Sequence, residues 1–142
     1  PEKHRLEMVR LAIEAIYPKL SLCDIEHSMP RPSYTIDTLR KLSQQNPQHE
    51  FTVIMGADSL ANIEQWKEYK SILSQFSVMV YPRIGFDADK LALQYGAQLV
   101  NAPMVELSST NLRRAIEQAK NVGYFMPQKS YQYLKENNLY KP

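Results

Sequence analysis

The stretch Phe51-Thr52-Val53-Ile54-Met55-Gly56-Ala57-Asp58-Ser59 decides the fold. Its first five residues are almost continuously apolar and β-prone, as in a strand buried within a parallel sheet. They run directly into a Gly-Ala-Asp-Ser turn. Downstream, a helical stretch carries Tyr69, Ile72, Leu73 and Phe76, and Val78 to Tyr81 reads as a second buried strand stopped by Pro82. Lys90 to Tyr95 reads as a short helix and Gln98 to Asn101 as a third strand. Strands thus alternate with helices, which predicts an α/β fold with a mainly parallel sheet and helices on both faces.

Upstream, Thr35 can cap a helix whose inner face is Ile36, Leu39 and Leu42, ended by Asn46 and Pro47. A loop with Pro30 and Pro32 precedes it, and before that Leu20, Leu22 and Ile25 form a short strand-like run. Leu6, Val9, Ile13 and Ile16 recur at helical spacing, with Pro18 closing that helix. At the other end, Ser108 to Lys120 reads as a well-capped helix, and Pro127 opens a last helix carrying Tyr131 and Leu134. Residues 1–142 read as a single domain, with no internal repeat or linker.

The bulk properties exclude more than they select. The chain has 142 residues, 44% of them hydrophobic, enough for one real core. Lys and Arg number 17 against 15 Asp and Glu, a net of +2 that does not point to nucleic acid. Cys23 is the single cysteine, so an internal disulfide and a structural zinc set are excluded and a reducing, cytoplasmic home is expected. No apolar run approaches the roughly 18 residues of a membrane span. His4, His27 and His49 are too scattered for a paired-histidine metal site, and no Walker A loop is present. A homo-oligomer is compatible with the sequence.

Ligands of open α/β sheets bind beyond the carboxyl ends of the strands. Three segments there carry candidate chemistry. Gly56 allows a tight turn and a close approach to the backbone, and Asp58 stands at the sheet's rim as an acceptor; the bland alternative is that Asp58 or Ser59 caps the next helix. Trp66, the only tryptophan, can stack on a flat ring or serve the core. In Glu106 to Arg114, hydroxyl residues precede an amphipathic helix carrying Leu112, Ala115, Ile116 and Ala119. A helix N-terminus suits phosphate, and Ser109 and Arg113 share a face on which the guanidinium leans toward that end. Arg114 turns one step away toward solvent. In Pro32 to Thr38, a loop feeds a helix, so the Tyr34 and Thr35 amides can meet a carboxylate. Each of the last two segments, taken alone, more often means an ordinary capped helix.

Together these segments resemble the bacterial nicotinate-nucleotide adenylyltransferases. The carriers are HRLEMVRLAI (4–13), PSYTIDTL (32–39), FTVIMGADSL (51–60) with QWK (65–67), LSSTNLRRAI (107–116) and YFMPQKSYQYLKENNLY (124–140). The SSTxxR signature is shared with related nucleotidyltransferases such as the phosphopantetheine enzymes. SYTxDTL followed by GADS and a Trp eight residues after the Asp is far more specific. The resemblance implies a Rossmann-like nucleotidyltransferase fold and adenylyl transfer from ATP to nicotinate mononucleotide, giving deamido-NAD and pyrophosphate, with Mg²⁺ accompanying ATP. It implies that the Tyr34 and Thr35 backbone holds the nicotinate carboxylate, that Trp66 stacks on the pyridine, and that Asp58 lies in the same pocket. ATP would be held by Gly56, Asp58, Ser108, Ser109, Thr110 and Arg113.

One departure is large. The family carries a GxFDPxHxGH segment on its first strand and following helix, whose histidines stabilise charge on the ATP phosphates. That segment is not found in this sequence, which opens at Pro1 and enters a helical pattern at once. The first strand and helix of the fold, and every catalytic residue of that motif, are thus expected to be missing here, and the chain as given to be inactive. A smaller departure is Tyr81-Pro82-Arg83-Ile84-Gly85 where the family often reads Arg-Pro-Gly, so no phosphate role is assigned to Arg83. A sister enzyme using nicotinamide mononucleotide or phosphopantetheine, and a non-catalytic nucleotide-binding fragment, are the competing readings.

Overall fold

The computed structural model describes residues 2–14, 19–104 and 106–140. Ile16 and Pro18, the expected end of the first helix, lie outside them. The chain read above as one domain divides into two compact units, residues 25–106 and residues 1–24 with 107–142. Each is described by itself.

The central unit is built on three parallel strands in the order β1 (Thr52–Gly56), β2 (Ser77–Tyr81), β3 (Gln98–Leu99). Val53 sits opposite Val78 and Met55 opposite Val80, so one face of the sheet is a run of apolar side chains. Helices α2 (Thr35–Gln45), α3 (Ala57–Ala61), α4 (Tyr69–Gln75) and α5 (Ala88–Tyr95) supply the rest of the core. Ile36, Leu60, Ile63, Ile72 and Val80 are its largest fully buried side chains. Burying each contributes on the order of 1.5–3 kcal/mol. Asp87 starts α5 by accepting the Lys90 amide at 3.0 Å, and Gly96, at a φ of 67°, ends it in a left-handed conformation that costs glycine nothing.

Two expectations for this unit need correction. Phe51 to Met55 is not buried throughout. Val53 and Met55 turn to the core, whereas Ile54, on the alternate face, is 67% exposed. The period-two geometry of a strand sends alternate side chains to opposite faces whatever their polarity. Nor does Thr35 cap α2. Tyr34 holds the N-cap position, its carbonyl accepting the Asp37 and Thr38 amides at 3.0 and 3.1 Å, and no side chain caps that end. The third strand is shorter than expected, although Val100 still donates to the Val80 carbonyl at 2.8 Å.

The second unit is helical, with α1 (Glu2–Glu14), α6 (Ser109–Glu117) and α7 (Gln128–Glu136). Ile116, Val122 and Leu134 form its core, with Met8, Leu112, Ala115 and Met126 packed around them. The Ser130 hydroxyl donates to the Met8 carbonyl at 2.7 Å and His4 Nδ1 lies 2.9 Å from the Tyr133 hydroxyl, tying α1 to α7. Within the first helix's apolar stripe Val9 is exposed. The strand expected over Leu20, Leu22 and Ile25 is also corrected. Residues 20–24 are irregular, and Ile25–Ser28 is a 3₁₀ turn closed by Met29 N–H donating to the Glu26 carbonyl at 3.1 Å. Strand geometry needs a partner for its backbone groups, and none of the described strands pairs with this run.

Candidate active site

Beyond the carboxyl ends of β1 and β2 stand Asp58 and Arg83, on neighbouring exits of the sheet. Asp58 caps nothing. Gly56 is the N-cap of α3, and no side chain bonds its amides. The Asp58 carboxylate instead folds back over the Gly56 Cα and lies 3.6 Å from Arg83 Nε. Gly56 has a φ of −76°, open to any residue. Its lack of a side chain matters for space, because a Cβ there would strike Asp58 Oδ1 and approach Arg83 Cγ to 3.0 Å.

A second cluster joins the start of α2 to the segment after Ile63. Trp66 is half-buried, packed against the core yet partly open. The next residue, Lys67, reaches Asp37 Oδ2 at 2.8 Å and lies over the Tyr34 ring, 4.9 Å from its centroid. Glu68 receives both terminal nitrogens of Arg40, at 2.7 and 3.2 Å. Tyr34 at the N-cap and Asp37 and Arg40 within α2 recur at three-residue spacing, so one helix face is clamped against residues 66–68. These contacts set the local protonation. Hydrogen bonding to Asp37 raises the Lys67 pKa, and hydrogen bonding to Arg40 lowers that of Glu68. Glu68 keeps this grip from a left-handed backbone, at a φ of 49°. On the other flank, Glu26 accepts from the hydroxyls of Thr38 at 2.9 Å and Ser33 at 3.5 Å, which fixes the loop entering α2.

In the helical unit, Ser108 caps α6, its hydroxyl accepting the Asn111 amide at 3.1 Å. Arg113 leans back toward that end, with Nη2 at 3.5 Å from Thr110 Oγ1. Ser109 and Arg113 both line a cleft of about 140 Å³ floored by Met8, Leu112, Ile116 and Leu134. Arg114 is exposed, as expected of a residue one step round the helix. The predicted site residues therefore fall into two sets. Tyr34, Thr35, Gly56, Asp58 and Trp66 belong to the central unit, and Ser108, Ser109, Thr110 and Arg113 to the helical one.

A cytidylyltransferase-like family model matches residues 1–115. A probable nicotinate-nucleotide adenylyltransferase of Flavobacterium johnsoniae is 40% identical over 142 residues, covering 99% of this chain and 73% of the relative. One from Flavobacterium psychrophilum is 40% identical over 139 residues, covering 96% and 72%. The chain belongs to the nicotinate-nucleotide adenylyltransferases of the cytidylyltransferase-like family. The fold agrees. The Plasmodium falciparum nicotinic acid mononucleotide adenylyltransferase complexed with NaAD superposes with a TM-score of 0.81 at 22% identity, over 97% of this chain and 73% of that one. The same enzyme complexed with APC also gives 0.81, over 97% and 75%.

Lys67 and Glu26 neighbour the candidate site without a role assigned from the sequence, and Arg83, given no phosphate role there, faces Asp58. Nothing local marks them. Lys67 meets Asp37 across 30 residues and Glu26 meets Thr38 across 12. Only the complementary order of charges, Asp37 and Arg40 against Lys67 and Glu68, hinted at a pairing.

Proposed function

We propose that this chain serves adenylyl transfer from ATP to nicotinate mononucleotide, with Tyr34, Thr35, Asp58 and Trp66 on the mononucleotide side. Gly56, Asp58, Ser108, Ser109, Thr110 and Arg113 serve the ATP side. One observation carries the reading: the uncapped start of α2 is tied through Asp37 and Lys67 to the segment bearing Trp66. The first amides of a helix have no intrahelical acceptor and carry partial positive charge. An anion receptor next to an indole suits a flat ring bearing a carboxylate, which is the pyridine end of this substrate.

In the reaction, a phosphate oxygen of the mononucleotide attacks the α-phosphorus of ATP in line. The bond from that phosphorus to the bridging oxygen breaks, and pyrophosphate leaves. No protein nucleophile is needed, so the chain contributes positioning and charge. Arg113, as a planar fork beside Ser109 and Thr110, fits phosphate oxygens. Among the described residues no three metal-ligating side chains cluster, and the carboxylate of Asp58 already faces Arg83. Mg²⁺ is therefore assigned to the ATP phosphates and water, which is how this ion is commonly held. The substrates are small and polar, which fits a cytoplasmic site of action, and no described helix is long and apolar enough to cross a membrane.

The test is turnover by the full-length enzyme with ATP and each of three acceptors: nicotinate mononucleotide, nicotinamide mononucleotide and phosphopantetheine. The acid mononucleotide should be preferred over the amide by at least about tenfold in kcat/KM, since the amide leaves a buried N–H without an acceptor at a cost of about 1–3 kcal/mol. Equal turnover of acid and amide, or preference for phosphopantetheine, would reject this assignment.

A further inference from the structure

The seat assigned to the substrate carboxylate has an acidic neighbour. Asp37 stands in the first turn of α2, and like charges at close range disfavour one another. An acid substrate at the Tyr34–Thr35 amides would meet that repulsion unless it were cancelled. Lys67 is placed to cancel it, with Nζ 2.8 Å from Asp37 Oδ2 and 4.9 Å from the centre of the Tyr34 ring. An ammonium carries three donors, and the bond to Asp37 uses one. The side chain stays 41% exposed, so its charge is open to a ligand. Arg40 and Glu68 neutralise each other in their own pair, and Glu26, on the other flank, accepts from the Ser33 and Thr38 hydroxyls.

We propose that Lys67 is a specificity residue, whose ammonium, fixed by Asp37 above the Tyr34 ring, makes the start of α2 select the acid mononucleotide over the amide. This rests on the reading of the Tyr34 and Thr35 amides as the carboxylate seat. Trp66 stacking cannot supply such selection, because a ring face does not distinguish an acid from an amide substituent. The amides of α2 supply the attraction for the acid, and Lys67 removes the repulsion from Asp37 that would oppose it.

The experiment compares Lys67→Met, Lys67→Gln and Lys67→Arg in the full-length enzyme, measuring kcat/KM for both mononucleotides at low and high salt. A partly screened unit charge near a carboxylate changes recognition by roughly 3- to 10-fold. The acid-over-amide ratio should fall by about that factor in the Met and Gln variants and be mostly retained in Arg. The ratio should decline with salt in the native enzyme and respond less to salt in the neutral variants. Lys67 lies on the surface, so thermal midpoints of the variants should stay near native, which checks folding. An equal loss on both substrates, or an unchanged ratio, overturns the role of Lys67 while leaving the carboxylate seat intact. A native enzyme with no acid preference overturns the seat itself, and the inference with it.

Discussion

Replacing Gly56 by alanine should separate stability from catalysis. The backbone at Gly56, with a φ of −76° and a ψ of 157°, is ordinary for any residue, so the substitution carries no backbone strain. The added Cβ instead collides with Asp58 Oδ1 and comes within 3.0 Å of Arg83 Cγ and 3.3 Å of Arg83 Cδ. All three atoms belong to side chains, and Asp58 is 44% exposed, so its carboxylate can rotate outward. That relief costs about 0.5–1.5 kcal/mol in rotamer energy. A penalty of ~1 kcal/mol lowers the thermal midpoint of a chain of this size by about 2–6 °C.

Function should suffer more. On the proposed role of Asp58, a displaced carboxylate loses its contact with the substrate, and a hydrogen bond to a charged group is worth about 1.5–3 kcal/mol, or roughly 10- to 150-fold in kcat/KM. The assay pairs thermal denaturation with steady-state kinetics on Gly56→Ala, Asp58→Ala and the double variant. If Gly56→Ala acts through Asp58, the two losses will not add, since the carboxylate is removed only once. Additive losses would refute that route. So would a kcat/KM within twofold of native, or a midpoint lowered by more than about 10 °C, which would show that the turn cannot absorb a methyl group.

Other outcomes follow from the same contacts. Arg113→Ala should reduce kcat/KM for ATP by about 10- to 150-fold and that for the mononucleotide far less, from the loss of a charge-assisted phosphate contact; an unchanged ATP dependence would move the role to Arg114. Ile72→Ala removes a fully buried side chain of the central core and should cost about 2–5 kcal/mol by denaturant unfolding, with a smaller cost showing a site that collapses readily. Glu68 has its carboxyl pKa lowered by the Arg40 guanidinium, so its stabilisation is present above the ordinary carboxylate range and is lost as pH falls through the depressed pKa. Native protein should therefore melt above Glu68→Gln at neutral pH, with the gap closing as pH falls through and below the ordinary carboxylate range; a gap independent of pH would assign the effect to the left-handed backbone at Glu68 instead.

The elements legible in the sequence were those governed by neighbours along the chain. Ser108, three residues before Asn111 and just ahead of an amphipathic run, reads directly as a cap, and the structure places its hydroxyl on the Asn111 amide. Val78 to Tyr81 ended by Pro82 reads as a strand and is one. Errors arose where the outcome depended on distant partners. Leu20 and Leu22 have the composition of a strand but no described strand to pair with. Ile54 has the composition of a core residue, yet the register of β1 against β2 sends it to the alternate face.

The candidate site follows the same division: local pattern reaches its proposed residues but not the charges around them. Tyr34, Thr35, Asp58 and Trp66 stand out in the sequence because strand exits and helix starts follow from local pattern. The charges beside them come from Lys67, 30 residues from Asp37, and from Arg83, brought to Asp58 by the parallel pairing of β1 and β2. The failed cap at Thr35 is the informative case. Local propensity favours a capping hydroxyl there, and the structure leaves that end of α2 without one. A departure from local rules that coincides with a ligand-sized need is where function is expected to override propensity. A capping side chain at that end would bond the amide of the second or third helical residue and so stand beside the Tyr34 and Thr35 amides proposed to hold the carboxylate. The absence of a cap at Tyr34 and the presence of Lys67 beside it are thus two halves of one proposed device: the first leaves the approach to those amides open, and the second offsets the charge of Asp37 next to them.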